Sequence, residues 1–293
     1  MTGYNKFNQD TNIIGIIGHP IKHSYSPLMH NISFEIKNLN YIYLPFDVPI
    51  NTLKAAIKGM VALGIKGFNI TLPHKENIIA YLRNVSEEAS IIGAVNTVVN
   101  DNGILSGYNT DVNGVYETLL PYKDEITGQK VSIFGAGGGA RSVIYTLIRN
   151  FKPEKIQIIN RTEQKGESLR EYFSTRMHFT DIKSYELIPP DLVDVLRDSK
   201  LIINTTSVGM YPNVDDSVTS IPQSFVKGQV VFDLIYNPLK TRLLQLAESQ
   251  GATVIDGLRM LVHQGAKSFE LWTGEEMPVE KINKALKLYI DTK

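Results

Sequence analysis

The sequence predicts an α/β protein in two domains, the second built on a regular parallel sheet. Three observations predict it. The chain has 293 residues, and domains run to roughly 150 residues each. From Lys130 onward, short β-branched runs alternate with helical stretches, the rhythm of βαβ units with right-handed crossovers. Before Lys130 strand-like and helix-like segments also alternate, but a turn rich in Asn and Gly interrupts them, so a strand pair is expected there.

Each element has its own signal. Ile13–Ile17 is a short apolar run ending at Gly18. Ser26-Pro27 reads as an N-cap followed by Pro at the first helical position. Tyr41–Val48 reads as a strand, and Leu53, Ala56, Ile57, Met60 and Val61 keep helical spacing. Gly67–Ile70 is a third strand, stopped by Pro73. Val95–Val99 and Ile104–Tyr108 flank the turn Asn100-Asp101-Asn102-Gly103. Lys130–Phe134, Lys155–Ile159, Leu201–Asn204, Val230–Leu234 and Thr253–Ile255 supply the later strands. The tail is helical over Leu258–Leu271 and Pro278–Ile290. The expected division is residues 1–112, residues 113–256, and a tail 257–293 that returns to the first domain.

Composition narrows the function classes. Apolar residues make up 43% and charged residues 20%, the balance of a globular protein that can bury a core without staples. Lys+Arg and Asp+Glu are both 30, so bulk charge points neither to nucleic acid nor to a membrane partner. Without Cys, disulfides, thiolate metal sites and a Cys nucleophile are excluded. The N-terminal MTGYNKFNQDTN is polar and lacks the apolar core of a secretion signal. No apolar run approaches the ~20 residues of a membrane helix. A cytoplasmic location is expected.

Val131–Phe134 runs into Gly135-Ala136-Gly137-Gly138-Gly139-Ala140 and then a helical stretch. This is strand, G-x-G-x-x-A, helix: it reads as a Rossmann dinucleotide site, or as a plain Gly-rich turn. Gly135 permits the tight turn, Gly137 admits a pyrophosphate, Ala140 allows close helix–sheet contact, and the helix N-terminus offers N–H groups to the anion. An NAD site places an acid at the end of the next strand to hold the ribose 2′-OH. Here that strand ends in Asn160-Arg161-Thr162, with Lys165 one turn on and Glu163 between. A guanidinium suits a 2′-phosphate, so NADP is favoured. Arg161 also reads as a solvated helix-entry residue.

Four polar clusters in the first part are candidates for substrate chemistry. In His23-Ser24-Tyr25-Ser26-Pro27, two hydroxyls beside a helix start suit a carboxylate or phosphate, and simple N-capping by Ser26 explains the same pattern. Asn69-Ile-Thr71-Leu-Pro73-His-Lys75 closes an apolar strand, where α/β sites collect ligands; Lys75 reads as a general acid or base, or as a solvated lysine. Gly93-Ala-Val-Asn96-Thr97 offers a neutral amide to a hydroxylated substrate, or is a strand-entry turn. In Gly107-Tyr-Asn109-Thr110-Asp111, the acid either pairs with Lys75 or caps the next helix. His19 and His23 are four apart, but a Pro and a loop lie between them, so no metal site is expected.

The four clusters in this order, followed by GAGGGAR and NRT, resemble the shikimate dehydrogenase family. Asn204-Thr-Thr-Ser-Val-Gly209-Met210, Asp233-Leu-Ile-Tyr236-Asn-Pro238 and Gly257-Leu-Arg-Met260-Leu-Val-His-Gln264 extend the resemblance. It implies reversible reduction of 3-dehydroshikimate to shikimate by NADPH, on the route to chorismate and aromatic amino acids. It implies a Rossmann domain and an open-sheet substrate domain completed by the C-terminal helices, in a monomer or homodimer. Position by position, it assigns Ser24 and Ser26 to the substrate carboxylate. Thr71, Asn96, Tyr236 and Gln264 contact the carboxylate or ring hydroxyls, and Lys75 and Asp111 flank the reacting carbon. The loop Gly135, Ala136, Gly137, Gly138, Gly139 and the segment Asn160, Arg161, Thr162, Lys165 hold NADP. Leu234, Gly257 and Met260 lie near the nicotinamide half, and Glu87 also touches the cofactor. The family often has a second Arg where this chain has Lys165, which carries charge without the planar fork. Two rival readings share the fold: a non-catalytic NADP-sensing module, and a quinate/shikimate dehydrogenase using NAD.

Overall fold

A computed structural model describes residues 7–187 and 191–292. Part of the polar N-terminal stretch, residues 1–6, lies outside the described residues. The chain divides into two compact units, Met1–Thr110 with Gln264–Tyr289, and Asp111–His263 with Ile290–Lys293.

The first unit carries strands β1 (Asn12–Gly18), β2 (Tyr41–Asp47), β3 (Gly67–Ile70), β4 (Asn84–Val85), β5 (Thr97–Asp101) and β6 (Ile104–Tyr108). Their spatial order is β2-β1-β3-β5-β6-β4. β1 is parallel to both β2 and β3, so it is covered on both sides, which suits its near-continuous Ile and Gly. β5 and β6 form an antiparallel hairpin. Its two-residue turn, Asn102-Gly103, has φ of 50° and 93°, the doubly left-handed backbone that favours Asn-Gly. The expected strand at Val95 starts later, at Thr97, because the Val95 and Asn96 amides bond to the Lys75 and Tyr108 carbonyls in the loop before it.

Helices α1 (Ser26–Ile36), α2 (Leu53–Ala62) and α3 (Glu87–Ile92) belong to this unit. Ile17, Ile57, Phe68, Ile70, Val95 and Val98 anchor one core cluster. The expectation that Ser26 caps α1 is corrected: the cap position is Tyr25, no side chain closes it, and Pro27 stands in the first turn. Ser26 is instead buried.

The second unit holds helices α4 (Asp111–Leu119), α5 (Lys123–Ile126), α6 (Gly138–Asn150), α7 (Glu163–Met177), α8 (Leu192–Arg197) and α9 (Arg242–Ser249). Its strands are β7 (Lys130–Phe134), β8 (Lys155–Asn160), β9 (Ile182–Glu186), β10 (Leu201–Asn204), β11 (Val230–Asp233) and β12 (Thr253–Ile255). Every pairing is parallel, in the order β12-β11-β10-β7-β8-β9. That is the doubly wound order, in which the chain reverses direction between β7 and β10 and opens a crevice at their carboxyl ends. Phe134, Ile159, Ile202, Val231, Leu243 and Leu244 pack one side of the sheet.

Helix α10 (Leu258–Thr273) and helix α11 (Val279–Asp291) close the chain. From Gln264 onward α10 belongs to the first unit. There Trp272 Nε1 donates to the Val98 carbonyl at 3.0 Å. A Cβ at Gly67 would meet the Trp272 ring at 2.2 Å, so glycine there lets helix and sheet approach. No described helix is long and apolar enough to cross a membrane.

Candidate active site

The first unit gathers its polar side chains at one place on its sheet. Asn69 on β3 is buried, and its Nδ2 donates to the Asn96 carbonyl and to Thr97 Oγ1, both at 3.0 Å. Asn96 Oδ1 accepts the Thr110 backbone N–H at 2.7 Å. A backbone N–H can only donate, so this bond fixes the amide: Oδ1 faces inward and Nδ2 is left to donate. Asn96 Nδ2 reaches Thr110 Oγ1 at 3.0 Å and Gln264 Oε1 at 3.4 Å. Ser268, one turn along α10, bonds the Thr97 hydroxyl at 2.8 Å and the Gln264 carbonyl at 3.1 Å. The result is a buried network of polar side chains bonded to one another, with Asn96 and Gln264 among its members.

Ser24 and Ser26 stand at the start of α1, where Ser24 Oγ accepts the Ser26 N–H at 3.3 Å. Thr71 and Lys75 lie in the loop after β3 and are half-buried. Lys75 is anchored through its carbonyl, which accepts Val95 N–H at 2.8 Å. Between them His74 is fully buried and bonds the Val48 carbonyl through Nε2 at 2.6 Å. It is therefore a loop fastener, pointing into the core. His19 pairs with Asp47 at 2.7 Å at the exposed end of β1 and β2. Glu87 is exposed at the start of α3, which Ser86 caps.

The second unit holds the remaining candidates. Asp111 is buried in the first turn of α4. Gly135 has φ of 105°, and a Cβ there would meet Thr205 Oγ1 at 2.7 Å. Gly137 is the cap residue of α6 with no side chain on the first amides, and a Cβ built on it would meet nothing within 4 Å. Ala136, Gly138 and Gly139 line the same turn, and Ala140 is fully buried. Open space above free helix N–H groups is a cradle for an anionic bridge such as a pyrophosphate.

Leu234 stands beside this loop: its Cδ2 would lie 3.4 Å from a Gly139 Cβ, and its carbonyl only 2.1 Å from a Gly257 Cβ. Met260 is buried in the first turn of α10, and Tyr236 is half-buried after β11. At the end of β8, Asn160 Nδ2 donates to the Thr162 carbonyl at 2.7 Å, closing the turn without an acid. Arg161, Thr162 and Lys165 are exposed, which suits an incoming phosphate. The residues present therefore fit a phosphorylated dinucleotide.

Sequence reasoning quoted several of the supports inside its motifs but gave them no role. Asp233 Oδ1 accepts from Asn204 Nδ2 at 3.0 Å and Ile235 N at 3.1 Å, and Oδ2 accepts from Thr241 at 2.7 Å. Asn204 Oδ1 in turn accepts from the Thr206 backbone and hydroxyl. Burial pushes the Asp233 carboxyl up to about 6, against the pull of those three donors. Tyr43, Asn69, Thr97, Thr110 and Ser268 play the same supporting part in the first unit. Their signal in sequence was a polar residue on an otherwise apolar strand or helix face.

Comparisons with known proteins bear on both halves. A family model described as the shikimate dehydrogenase substrate binding domain matches residues 16–98. The shikimate / quinate 5-dehydrogenase model matches 119–249, and the shikimate 5′-dehydrogenase C-terminal domain matches 257–287. An NADP(+) shikimate dehydrogenase of Caldanaerobacter subterraneus is 46% identical over 274 residues, covering 92% of this chain and 94% of the relative. A shikimate dehydrogenase crystallised with NADP+ superposes with a TM-score of 0.90 at 41% identity, covering 97% of each chain. A shikimate 5-dehydrogenase of Listeria monocytogenes, in complex with shikimate and NAD, gives a TM-score of 0.87 at 37% identity, covering 98% of this chain and 99% of that one.

Proposed function

The chain belongs to the shikimate dehydrogenase family, and on that premise we propose that Lys75 and Asp111 handle the proton as 3-dehydroshikimate is reduced to shikimate. The activity is that of an NADP-dependent oxidoreductase acting on a CH–OH group. One observation carries the assignment of the pair. Lys75 is fastened by its carbonyl to the Val95 amide, and the Thr110 amide is fastened to Asn96 Oδ1. These bonds support the reading: they tie Lys75, and the residue before Asp111, to the segment Val95–Asn96, whose Asn96 side chain is offered to the substrate ring.

Bound NADPH supplies the hydride that reduces the ketone carbon. The residues of the chain do the rest. Ser24 and Ser26 donate to the substrate carboxylate, and Thr71 and Tyr236 complete that end. Asn96 and Gln264 donate to ring hydroxyl oxygens. As the carbonyl becomes an alkoxide, Lys75 gives its oxygen a proton, and in the reverse direction takes it back. Asp111 accepts a hydrogen bond from the same hydroxyl and orients the ammonium. The glycine loop Gly135–Gly139 and the free amides of α6 hold the pyrophosphate; Arg161 and Lys165 meet the 2′-phosphate. Leu234, Gly257 and Met260 shape the nicotinamide side, and Glu87 borders the cofactor. A cytoplasmic setting fits a chain with no Cys.

The test is a four-way assay of shikimate and quinate against NADP+ and NAD+. The expected outcome is the highest kcat/KM for shikimate with NADP+, with Arg161→Gln narrowing the NADP+ advantage by about tenfold, as loss of one charge-assisted phosphate bond should. A wild-type preference for NAD+ or for quinate would overturn the reading.

A further inference from the structure

Helix α10 meets the start of β5 through a ladder of three side chains. Gln264, Ser268 and Trp272 are four residues apart, so they stand one above another on a single face of the helix. Their partners follow one another in the chain: Asn96, Thr97 and Val98. Gln264 Oε1 accepts from Asn96 Nδ2 at 3.4 Å, the Ser268 and Thr97 hydroxyls bond at 2.8 Å, and Trp272 Nε1 donates to the Val98 carbonyl at 3.0 Å. The middle rung has the most ties. Ser268 Oγ also bonds Thr110 Oγ1 at 3.1 Å and accepts from Asn69 Nδ2 at 3.2 Å. One turn back on its own helix, it donates to the Gln264 carbonyl at 3.1 Å. Ser268 is fully buried, and a buried hydroxyl with both its donor and its acceptor roles filled is costly to displace.

We propose that Ser268 is a positioning residue for substrate binding: it pins α10 to the sheet one turn from Gln264, and so holds the Gln264 amide at a set distance from Asn96. This rests on the reading of Gln264 and Asn96 as ligands of the substrate ring. The rung between those two is the longest of the three at 3.4 Å, beyond the usual range for an N–H···O bond, so it does not hold the helix by itself. The Ser268 rung next to it does, at 2.8 Å. Ser268 also acts on the Gln264 backbone directly. A serine that bonds the carbonyl four residues back biases the local bend of a helix, and here the bend falls in the turn that carries Gln264. Trp272 is two turns from Gln264. It fixes the far end of the contact and leaves the Gln264 end to Ser268.

The test is a double-mutant cycle in the full-length protein with Ser268→Ala, Gln264→Ala and both. It reads shikimate Kd by calorimetry and steady-state constants in the shikimate-oxidising direction. Ser268→Ala should raise the shikimate Kd and KM by about fivefold, the effect of misaligning one neutral hydrogen bond, with kcat within about threefold and the NADP+ KM unchanged. In the Gln264→Ala background the same substitution should add less than about twofold, because its effect runs through Gln264. Ser268→Cys puts a poor hydrogen-bonding group in a similar space. It should repeat the Ser268→Ala result, and it carries the cycle if the alanine variant does not fold. Trp272→Phe removes the last rung alone. It should lower stability to urea and leave the shikimate Kd within about twofold of wild type. Three results would overturn the proposal: a Ser268→Ala Kd within about twofold of wild type, an undiminished effect of Ser268→Ala in the Gln264→Ala background, or an equal loss of shikimate affinity in Trp272→Phe, the mark of a merely structural role. If Gln264→Ala leaves shikimate binding unchanged, the assignment of Gln264 falls first and the proposal with it. That outcome is distinguishable, because the single Gln264 variant alone reports it.

Discussion

Single residues carry the chemistry, and on the scale of one residue Lys75 makes the sharpest claim. Removing a general acid typically lowers rate by ~10²–10⁴. Lys75→Ala should therefore cut kcat by about that factor while the shikimate KM changes little, and stopped-flow single turnovers should show the same loss in the chemical step. A kcat within about tenfold of wild type would remove Lys75 from the proton step, since a positioned general acid contributes more. Residue by residue, the sequence was most readable where covalent structure dictates geometry. Gly135 at φ 105° and the Asn102-Gly103 turn are cases of that kind. It was least readable where one polar group chooses among several partners. Ser26 looked like a cap; it is buried in the first turn of α1, and no side chain caps that helix. His74, beside Lys75, gave no sign that its ring would turn to the Val48 carbonyl.

At the scale of elements, the sequence made legible every strand except β4 and β9, the edge strands β2 and β12 among them. β1, β7, β8, β10 and β11 are apolar runs because neighbours cover them on both sides. β4 and β9 lay outside the expected runs. β4 has only two residues, and β9 is an edge strand with an exposed Lys183 and Glu186, so its apolar period is weak. The join between elements is harder still to read, and Asp233 shows why. Its carboxylate ties the end of β10, the turn after β11 and the cap of α9 through Asn204, Ile235 and Thr241. Burial lifts this carboxyl from 3.8 to about 6, so the folded protein holds a proton that the unfolded chain has released. The sign follows: the stabilising contribution of the protonated group is full below about pH 4 and is lost as pH rises through about 6, with a ceiling of roughly 3 kcal/mol. Urea unfolding of wild type and Asp233→Asn between pH 4 and 7 should show this. The difference in unfolding free energy should shift against wild type as pH rises to about 6 and level off above it. Parallel pH profiles for the two proteins would remove Asp233 as the titrating group.

For the whole molecule, the fold class followed from rhythm and length, and the structure bears it out as two mainly parallel sheets in two compact units. The two units also divide the residues proposed to hold ligands. The glycine loop, the Asn160–Lys165 segment and the Asn204–Thr206 turn belong to the second unit, and Ser24, Ser26, Asn96 and Gln264 to the first. A ligand stabilises only the state that binds it, by about 2.7 kcal/mol at a hundredfold excess over Kd. Opening of the amides that a ligand covers is suppressed with it, while openings elsewhere remain local and independent. Hydrogen exchange with each ligand alone should therefore separate the two. NADP+ should slow exchange at Gly138–Arg141 and Thr206–Val208. Shikimate should slow it at the start of α1 and at Asn96–Thr97, by up to about a hundredfold where opening requires ligand release. Shikimate protection confined to the glycine loop, or NADP+ protection confined to the start of α1, would mean that the assignment of ligands to units is reversed.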